Sequence, residues 1–229
     1  MPRGRGKIRI VTLGDVEGPS EMARNVRAGL LSKPKDLSPW PKYFYYAEGS
    51  QLFERITALP EYYQYRAELS ILKEKASQIV ALTRCRELVE LGSGSANKTR
   101  ALLDAIIEAA QQGTSGGTGG TNPVVRYIPV DVSESALKSS TKRLLEENFS
   151  LEILGFVGDF DRSLESVLAH LRRADGPDEP RRLVVFLGGT IGNFASKRWQ
   201  KFLRRLRAGL KEREPPPRRR GPGQGYAHP

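Results

Sequence analysis

The stretch Glu87-Leu88-Val89-Glu90-Leu91-Gly92-Ser93-Gly94-Ser95 decides the fold of this chain. Its first five residues are a short, mostly apolar run of the kind that forms a buried strand. A glycine-rich turn follows at once, and a helical pattern begins at Lys98, with apolar side chains at Leu102, Leu103, Ile106 and Ile107. A strand, a tight turn and a helix in this order are typical of a parallel sheet with helices on its faces.

The same alternation continues along the chain. Three more strands are predicted at 124–130, 151–157 and 183–187, and helical patterns follow them at 133–147, 164–171 and 199–210. The pattern therefore predicts an α/β fold with about four parallel strands. Residues 7–13 form either a further short strand or an extended arm.

Three regions follow from the composition along the chain. Residues 1–84 are predicted to hold an N-terminal arm and a helical segment, with helical patterns near 20–30, 52–59 and 67–82. Residues 85–210 form the alternating α/β domain. The Gly/Thr/Ser-rich stretch at 111–122 predicts a flexible loop, and the Pro/Arg/Gly-rich residues 211–229 predict a disordered tail.

The charge of the chain is concentrated at its C-terminal end. The 229 residues carry a formal net charge of +11, which by itself suggests a nucleic-acid partner. Residues 197–229 hold 11 Lys and Arg and two Glu, a net charge of +9, which leaves +2 for residues 1–196. A basic surface spread over the whole chain is therefore excluded. Binding of nucleic acid by the basic end remains the alternative to an enzymatic role.

Other classes of protein are excluded by simple counts. The single cysteine, Cys85, rules out a disulfide scaffold and a multi-cysteine zinc site. No apolar run approaches the roughly 20 residues that cross a bilayer. We expect a cytoplasmic monomer that binds no metal, no membrane and no specific nucleic acid.

The ligand site is expected where the parallel strands end, because such sheets bind ligands at their carboxyl edge. The unusual residues stand at those ends, namely Gly92-Ser93-Gly94, Asp131, Asp159-Phe160 and Gly188-Gly189-Thr190. A glycine-rich turn after the first strand of the alternation serves a nucleoside triphosphate, a dinucleotide or S-adenosylmethionine. The first would need the motif GxxxxGK[ST], which the chain lacks. A dinucleotide would favour a third glycine where Asn97 stands.

S-adenosylmethionine suits the sequence Glu90-Leu91-Gly92-Ser93-Gly94 better. It has no pyrophosphate to neutralise, and glycines allow its amino acid and ribose to approach the backbone closely. Asp131 could accept hydrogen bonds from the ribose hydroxyls. Asp159 could accept one from the adenine amino group, with Phe160 against the ring. Each aspartate could also be only a loop or cap residue, but together they stand at successive strand ends.

The chain resembles the histidine-specific S-adenosylmethionine methyltransferases, the L-histidine Nα-methyltransferases of ergothioneine biosynthesis. The resemblance runs from about residue 25 to about residue 210. It rests on Pro60-Glu61-Tyr62-Tyr63, Glu90-Leu91-Gly92-Ser93-Gly94 with Lys98-Thr99-Arg100, Gly158-Asp159-Phe160, and Phe186-Leu187-Gly188-Gly189-Thr190-Ile191-Gly192-Asn193-Phe194. It implies a Rossmann-like class I methyltransferase sheet and three methyl transfers to the α-amino group of histidine, giving trimethylhistidine (hercynine).

The resemblance also implies roles for individual residues. The cofactor site would be lined by Gly92, Lys98, Asp131, Asp159, Phe160, Gly188 and Thr190. The small amino-acid substrate, L-histidine, would face Tyr45, Tyr62 and Asn193. No side chain forms a covalent bond with substrate, since the enzyme need mainly orient a neutral amine against the methyl group. Aromatic faces suit a product that becomes a quaternary ammonium.

Two features leave the substrate and the activity open. A sister group of the same plan methylates a prenylated tryptophan, so another amino acid is the nearest alternative to histidine. After Lys211 the sequence departs from the family, which continues well beyond this point. We therefore expect a truncated member whose sheet is incomplete, which binds the cofactor poorly and fails to recognise histidine.

Overall fold

The computed structural model describes residues 6–14, 19–36, 41–45, 47–112, 124–147, 151–173, 181–193 and 196–210. The strands within them are β1 (Lys7–Thr12), β2 (Cys85–Leu91), β3 (Val125–Asp131), β4 (Leu151–Val157) and β5 (Arg181–Val185). The α-helices are α1 (Pro19–Leu31), α2 (Ala47–Thr57), α3 (Tyr63–Thr83), α4 (Thr99–Gln112), α5 (Glu134–Glu147), α6 (Leu164–Arg173) and α7 (Ser196–Gly209). Two 3-10 helices span Pro41–Phe44 and Gly188–Asn193.

The strands form one parallel sheet in the order β1-β4-β3-β2-β5. From β2 the chain moves outward through β3 and β4, and then returns to the other side of β2 to form β5. This reversal is the topological switch point at which open parallel sheets bind ligands. The α/β fold predicted from the sequence is confirmed.

The predicted number of about four strands was too low. Residues 7–12, which the sequence left open between a strand and an extended arm, form β1 and pair with β4 from Lys7 opposite Glu152 to Thr12 opposite Val157. β1 is an edge strand, and all of its residues are exposed or half-buried. Hydrogen bonding to β4, rather than an apolar pattern of its own, makes this segment a strand.

The central strand β2 is buried on both faces, as strands of parallel sheets are when helices cover both sides. Apart from Arg86, all of its residues are buried, including the carboxylate of Glu87. Arg126 on β3 donates a hydrogen bond to Glu87 at 2.8 Å, and Arg182 on β5 contacts the other carboxylate oxygen. The buried charge of Glu87 is thus neutralised from both neighbouring strands.

Two apolar layers enclose the sheet. One layer joins α3, α4 and α5 to one face through residues such as Leu72, Leu103 and Tyr127. The other joins α6 and α7 to the opposite face through Phe156 and Phe202, which are both almost fully buried. Because both faces are packed, the carboxyl ends of β2, β3 and β4 are held in fixed positions relative to one another.

The predicted strands and helices agree with the structure to within a few residues at each end. Most of the predicted loop at 111–122, beyond Gln112, and the predicted tail at 211–229 lie outside the described residues. The division of the chain at residue 84 stays a prediction, although β1 brings part of the N-terminal region into the sheet.

Candidate functional site

A cleft of about 1000 Å³ lies at the carboxyl ends of the strands. Residues from the N-terminal helices and from the loops after β2, β3, β4 and β5 line it. It brings together eight of the residues singled out from the sequence, which are Tyr45, Tyr62, Gly92, Lys98, Asp131, Asp159, Phe160 and Gly188. Thr190 and Asn193 lie in the 3-10 helix after β5, and their side chains fall outside the described part of the structure.

The turn after β2 depends on glycine and on Asp131. Gly92 and Gly94 have φ angles of 76° and 50°, in the left-handed region that glycine adopts without steric cost. The N–H of Gly92 donates to the carbonyl of Val130 at 2.8 Å, and the N–H of Gly94 donates to Oδ2 of Asp131 at 2.7 Å. The other oxygen of Asp131 accepts from the N–H of Ser133 at 2.8 Å. One carboxylate therefore joins the turns that follow β2 and β3.

Burial affects the charge of Asp131. The side chain is almost fully enclosed, and desolvation raises the pKa of its carboxyl, while the backbone N–H groups of Ser133 and Gly94 oppose this effect. A carboxylate oxygen has two lone pairs, so each oxygen can still accept a second hydrogen bond. Asp131 can therefore hold the turn and contact a ligand at the same time.

Glu90, at the end of β2, is a buried carboxyl with two hydroxyl donors. The hydroxyls of Thr99 and Tyr127 donate to its two oxygens, each at 2.5 Å. Burial raises its pKa to about 7, although the two hydrogen bonds and the nearby Lys98 act in the opposite direction. Glu90 thus links the floor of the cleft to α4 and β3 and titrates close to neutral pH.

The loop after β4 presents Asp159 and Phe160 to the cleft. Oδ1 of Asp159 accepts from the N–H of Asp161 at 3.0 Å, which shapes the turn before α6. The ring of Phe160 packs edge-on against Phe186 at 5.1 Å and Phe202 at 5.8 Å between centroids. This packing fixes the aromatic surface that Phe160 offers at the cleft.

Aromatic side chains of the N-terminal segment also line the cleft. Phe53 packs edge-on against Tyr45 and Tyr62, with centroid distances of 6.2 and 6.1 Å. Burial raises the pKa of the Tyr45 hydroxyl, and the charge of Asp131 adds to the effect. Tyr45 therefore stays protonated at neutral pH and can donate a hydrogen bond.

Several polar residues of the cleft were missed in the sequence. Asn97 donates to Glu54 of α2 at 3.3 Å and accepts from Arg143 of α5 at 2.9 Å, so it connects the glycine turn to two helices. Glu68 of α3 contacts both Lys98 and Gly188. No motif marks these residues, because their partners lie on other elements. For Glu68, the sequence shows only a polar side chain near the start of α3.

The described residues hold neither a membrane-spanning helix nor a group of side chains suited to a metal ion. No helix among them is long and apolar enough to cross a membrane. No cluster of three or more His, Cys, Asp or Glu side chains with the geometry to hold a metal ion occurs among them.

Comparison with known proteins identifies the family. Residues 22–215 match the model of the family described as histidine-specific, SAM-dependent methyltransferases. The histidine N-alpha-methyltransferase of Mycolicibacterium smegmatis is 41% identical over 185 residues, which are 81% of this chain and 50% of that protein. The 4-dimethylallyltryptophan N-methyltransferase easF of Trichophyton verrucosum is 34% identical over 80% of this chain and 49% of its own length. Ergothioneine biosynthesis protein 1 of Schizosaccharomyces pombe is 32% identical over 70% of this chain and 19% of its own length.

The resemblance seen in the sequence is confirmed by this match, and it extends over most of the described elements. The chain spans about half the length of the first two of these relatives. The chain belongs to the family of histidine-specific, S-adenosylmethionine-dependent methyltransferases.

Proposed function

We propose that this chain forms the cofactor-binding and substrate-facing part of an N-methyltransferase that acts on the α-amino group of L-histidine and produces trimethylhistidine. The proposal depends mainly on one observation. Gly92, Asp131 and Asp159 stand at three successive strand ends, and they line the same cleft as the tyrosines of the N-terminal segment. The relatives named for histidine methylation and for ergothioneine biosynthesis support the choice of substrate and pathway.

The cleft has the features that S-adenosylmethionine requires. A Cβ atom added at Gly94 or Gly189 would meet no atom within 4 Å, so the backbone there is open to close approach by a ligand. Among the described residues, Ser93 Oγ is a buried side-chain oxygen without a hydrogen-bond partner. Asp131 and Asp159 offer acceptors for hydroxyl and amino groups, and Phe160 offers an apolar surface.

Methyl transfer requires mainly that the protein orient the two reactants. When bound, the cofactor supplies an electrophilic methyl group on a positively charged sulfur. The residues of the cleft would hold the acceptor amine in line with that methyl group, which contributes much of the rate. Tyr45 and Tyr62 would lie against the amine as it gains methyl groups, because aromatic faces attract quaternary ammonium ions. Asn193 would contact the substrate as well, as the family resemblance implies.

The direct test is to incubate the 229-residue chain with S-adenosylmethionine and L-histidine, with mass spectrometry of the products and calorimetry of cofactor binding. We expect binding of S-adenosylmethionine that saturates, and we expect any methylated product to carry its methyl groups on the α-amino nitrogen. Failure to bind S-adenosylmethionine would contradict the proposal. Methylation of the imidazole ring would contradict the choice of nitrogen.

A tryptophan derivative is the second candidate substrate, because the easF relative is named for one. Parallel incubations with equal concentrations of L-histidine and 4-dimethylallyltryptophan separate the two. Faster methylation of the tryptophan derivative would favour the second candidate.

The expectation that this chain binds the cofactor poorly and fails to recognise histidine stays a prediction. It is checked by assaying histidine methylation by the Mycolicibacterium smegmatis relative and by this chain under the same conditions. No product from this chain, with trimethylhistidine from the relative, would agree with the expectation. Trimethylhistidine from this chain at a similar rate would contradict it.

Substitution of Gly94 by alanine tests the close approach of the cofactor. The new Cβ would enter the open cleft, and its φ of +50° strains an L-residue. We expect about 1 kcal/mol lower stability and about ten-fold weaker cofactor binding. Gly14→Ala is the matched control, since its φ is +68°, it also has no neighbouring atom within 4 Å, and it does not line the cleft. Equal cofactor affinity in the two variants would contradict the expectation.

A further inference from the structure

Glu68 of α3 joins two other walls of the cleft. Its Oε2 accepts a hydrogen bond from Nζ of Lys98 at 2.6 Å, and its Oε1 accepts one from the N–H of Gly188 at 2.6 Å. Lys98 closes the glycine turn, and Gly188 begins the 3-10 helix after β5. One carboxylate therefore holds together the N-terminal helical segment and two of the strand-end loops.

Lys98 lies so close to Gly188 that a side chain at position 188 would clash with the ammonium. Gly188 has a φ of +79°, and a Cβ atom there would lie 2.8 Å from Nζ of Lys98. The ammonium also lies 5.7 Å from the centre of the Tyr65 ring. Glu68, Tyr65 and the bare backbone of Gly188 thus enclose the ammonium on several sides and fix its position at the cleft.

The ion pair is only partly shielded from solvent. The side chains of Lys98 and Glu68 are 17% and 30% exposed, and both residues line the cleft. An ammonium has three N–H groups, and the bond to Glu68 uses one of them. Lys98 can therefore keep its bond to Glu68 while it donates to the carboxylate of a ligand.

We propose that Glu68 is a positioning residue for the cofactor, which fixes the Lys98 ammonium at the wall of the cleft and cancels its charge, so that the site accepts a sulfonium cation. This inference rests on the proposed function, in which the cleft binds S-adenosylmethionine. It adds a charge-balancing role for a residue of α3 that the sequence motifs do not mark.

The proposal follows from the charges of the ligand before and after the reaction. S-adenosylmethionine and its product S-adenosylhomocysteine carry the same amino-acid carboxylate and ammonium, but only the former has a positive sulfur. A Lys98 without Glu68 would attract the carboxylate of both ligands and repel the sulfonium of one. Glu68 is therefore expected to act on the preference for cofactor over product, and not merely on affinity.

The test measures dissociation constants of both ligands by calorimetry for the full chain and three variants. We expect Glu68→Gln to lower the affinity for S-adenosylmethionine relative to S-adenosylhomocysteine by about five-fold, the size expected for one charge across a ligand-sized distance in a partly exposed site. Lys98→Met should shift this ratio by a similar factor in the opposite direction. The double variant should return the ratio towards that of the wild type, with weaker binding of both ligands.

The ratio separates charge from general damage to the fold, because partial unfolding weakens both ligands by the same factor. Glu74→Gln is the matched control: it removes the same charge from the same helix, and Glu74 is 67% exposed and does not line the cleft. An unchanged ratio in Glu68→Gln and Lys98→Met would overturn the inference and leave the proposed function intact. A wild-type chain that binds neither ligand would overturn the proposed function and this inference with it.

Discussion

Replacing Asp131 by alanine is expected to weaken binding of S-adenosylmethionine by at least about 100-fold, because it removes the acceptor of two backbone N–H groups and a ligand contact together. The carboxylate accepts from Gly94 and Ser133, and it is almost fully buried. Without it, both N–H groups lose their partner inside the protein, and the glycine turn loses the bond that fixes it to the end of β3. Calorimetric titration with the cofactor measures the loss.

Two further variants help to interpret this loss of cofactor affinity. Asp131→Asn keeps the shape and one carbonyl acceptor, so we expect a smaller loss than with alanine. Asp104→Ala removes a carboxylate from α4 that is 55% exposed and lies 3.8 Å from Arg100, and it should bind the cofactor as the wild type does. An affinity of Asp131→Ala within three-fold of that of the control, roughly 0.7 kcal/mol, would be incompatible with a role of Asp131 in the site.

The stability of the protein is expected to fall as the pH rises from about 4.5 to about 8, because of Glu90. The pKa of this carboxyl is about 7 in the folded protein, against an ordinary value of 4.5. The folded state therefore holds the proton more strongly than the unfolded state does. The favourable contribution is complete below pH 4.5 and is lost as the pH rises through about 7, and it amounts to about 3 kcal/mol.

Urea unfolding at a series of pH values measures this effect as the difference between the wild type and Glu90→Gln. The glutamine does not titrate, so the difference in unfolding free energy should change across this range and level off on either side. Glu165→Gln should give a small change of opposite sign at lower pH, since the hydrogen bond from Arg205 lowers the pKa of Glu165. A difference between the wild type and Glu90→Gln that does not depend on pH would refute the assignment.

The central part of the sheet could be predicted because its strands are buried on both faces. β4 was predicted at the bounds that the structure gives, since the run from Leu151 to Val157 is largely apolar and stands between breaks in the pattern. β1 could not be assigned with the same means. It is an edge strand with exposed side chains, and its structure depends on β4, which lies far away in the sequence.

The position of the cleft could be predicted because it depends on where the buried strands end. The contacts that the helices make in the cleft could not be predicted. Asp131 and Asp159 stand directly after strands, and parallel strands bring such positions to one edge of the sheet. Glu68 lies on a helix that the sequence marks only as amphipathic. Its contacts with Lys98 and Gly188 depend on how α3 packs against α4, and packing between helices is not encoded in any local pattern.

The position of β1 has a consequence for the order in which the protein folds during its synthesis. β1 is made first, but its partner β4 leaves the ribosome on the order of ten seconds later at ordinary rates of translation. Until then the hydrogen-bonding groups of residues 7–12 have no strand to pair with, and the nascent sheet can assemble only from β2 outward. Pairing of β1 with β4 spans most of the chain, so it closes a long loop and belongs among the late steps of folding.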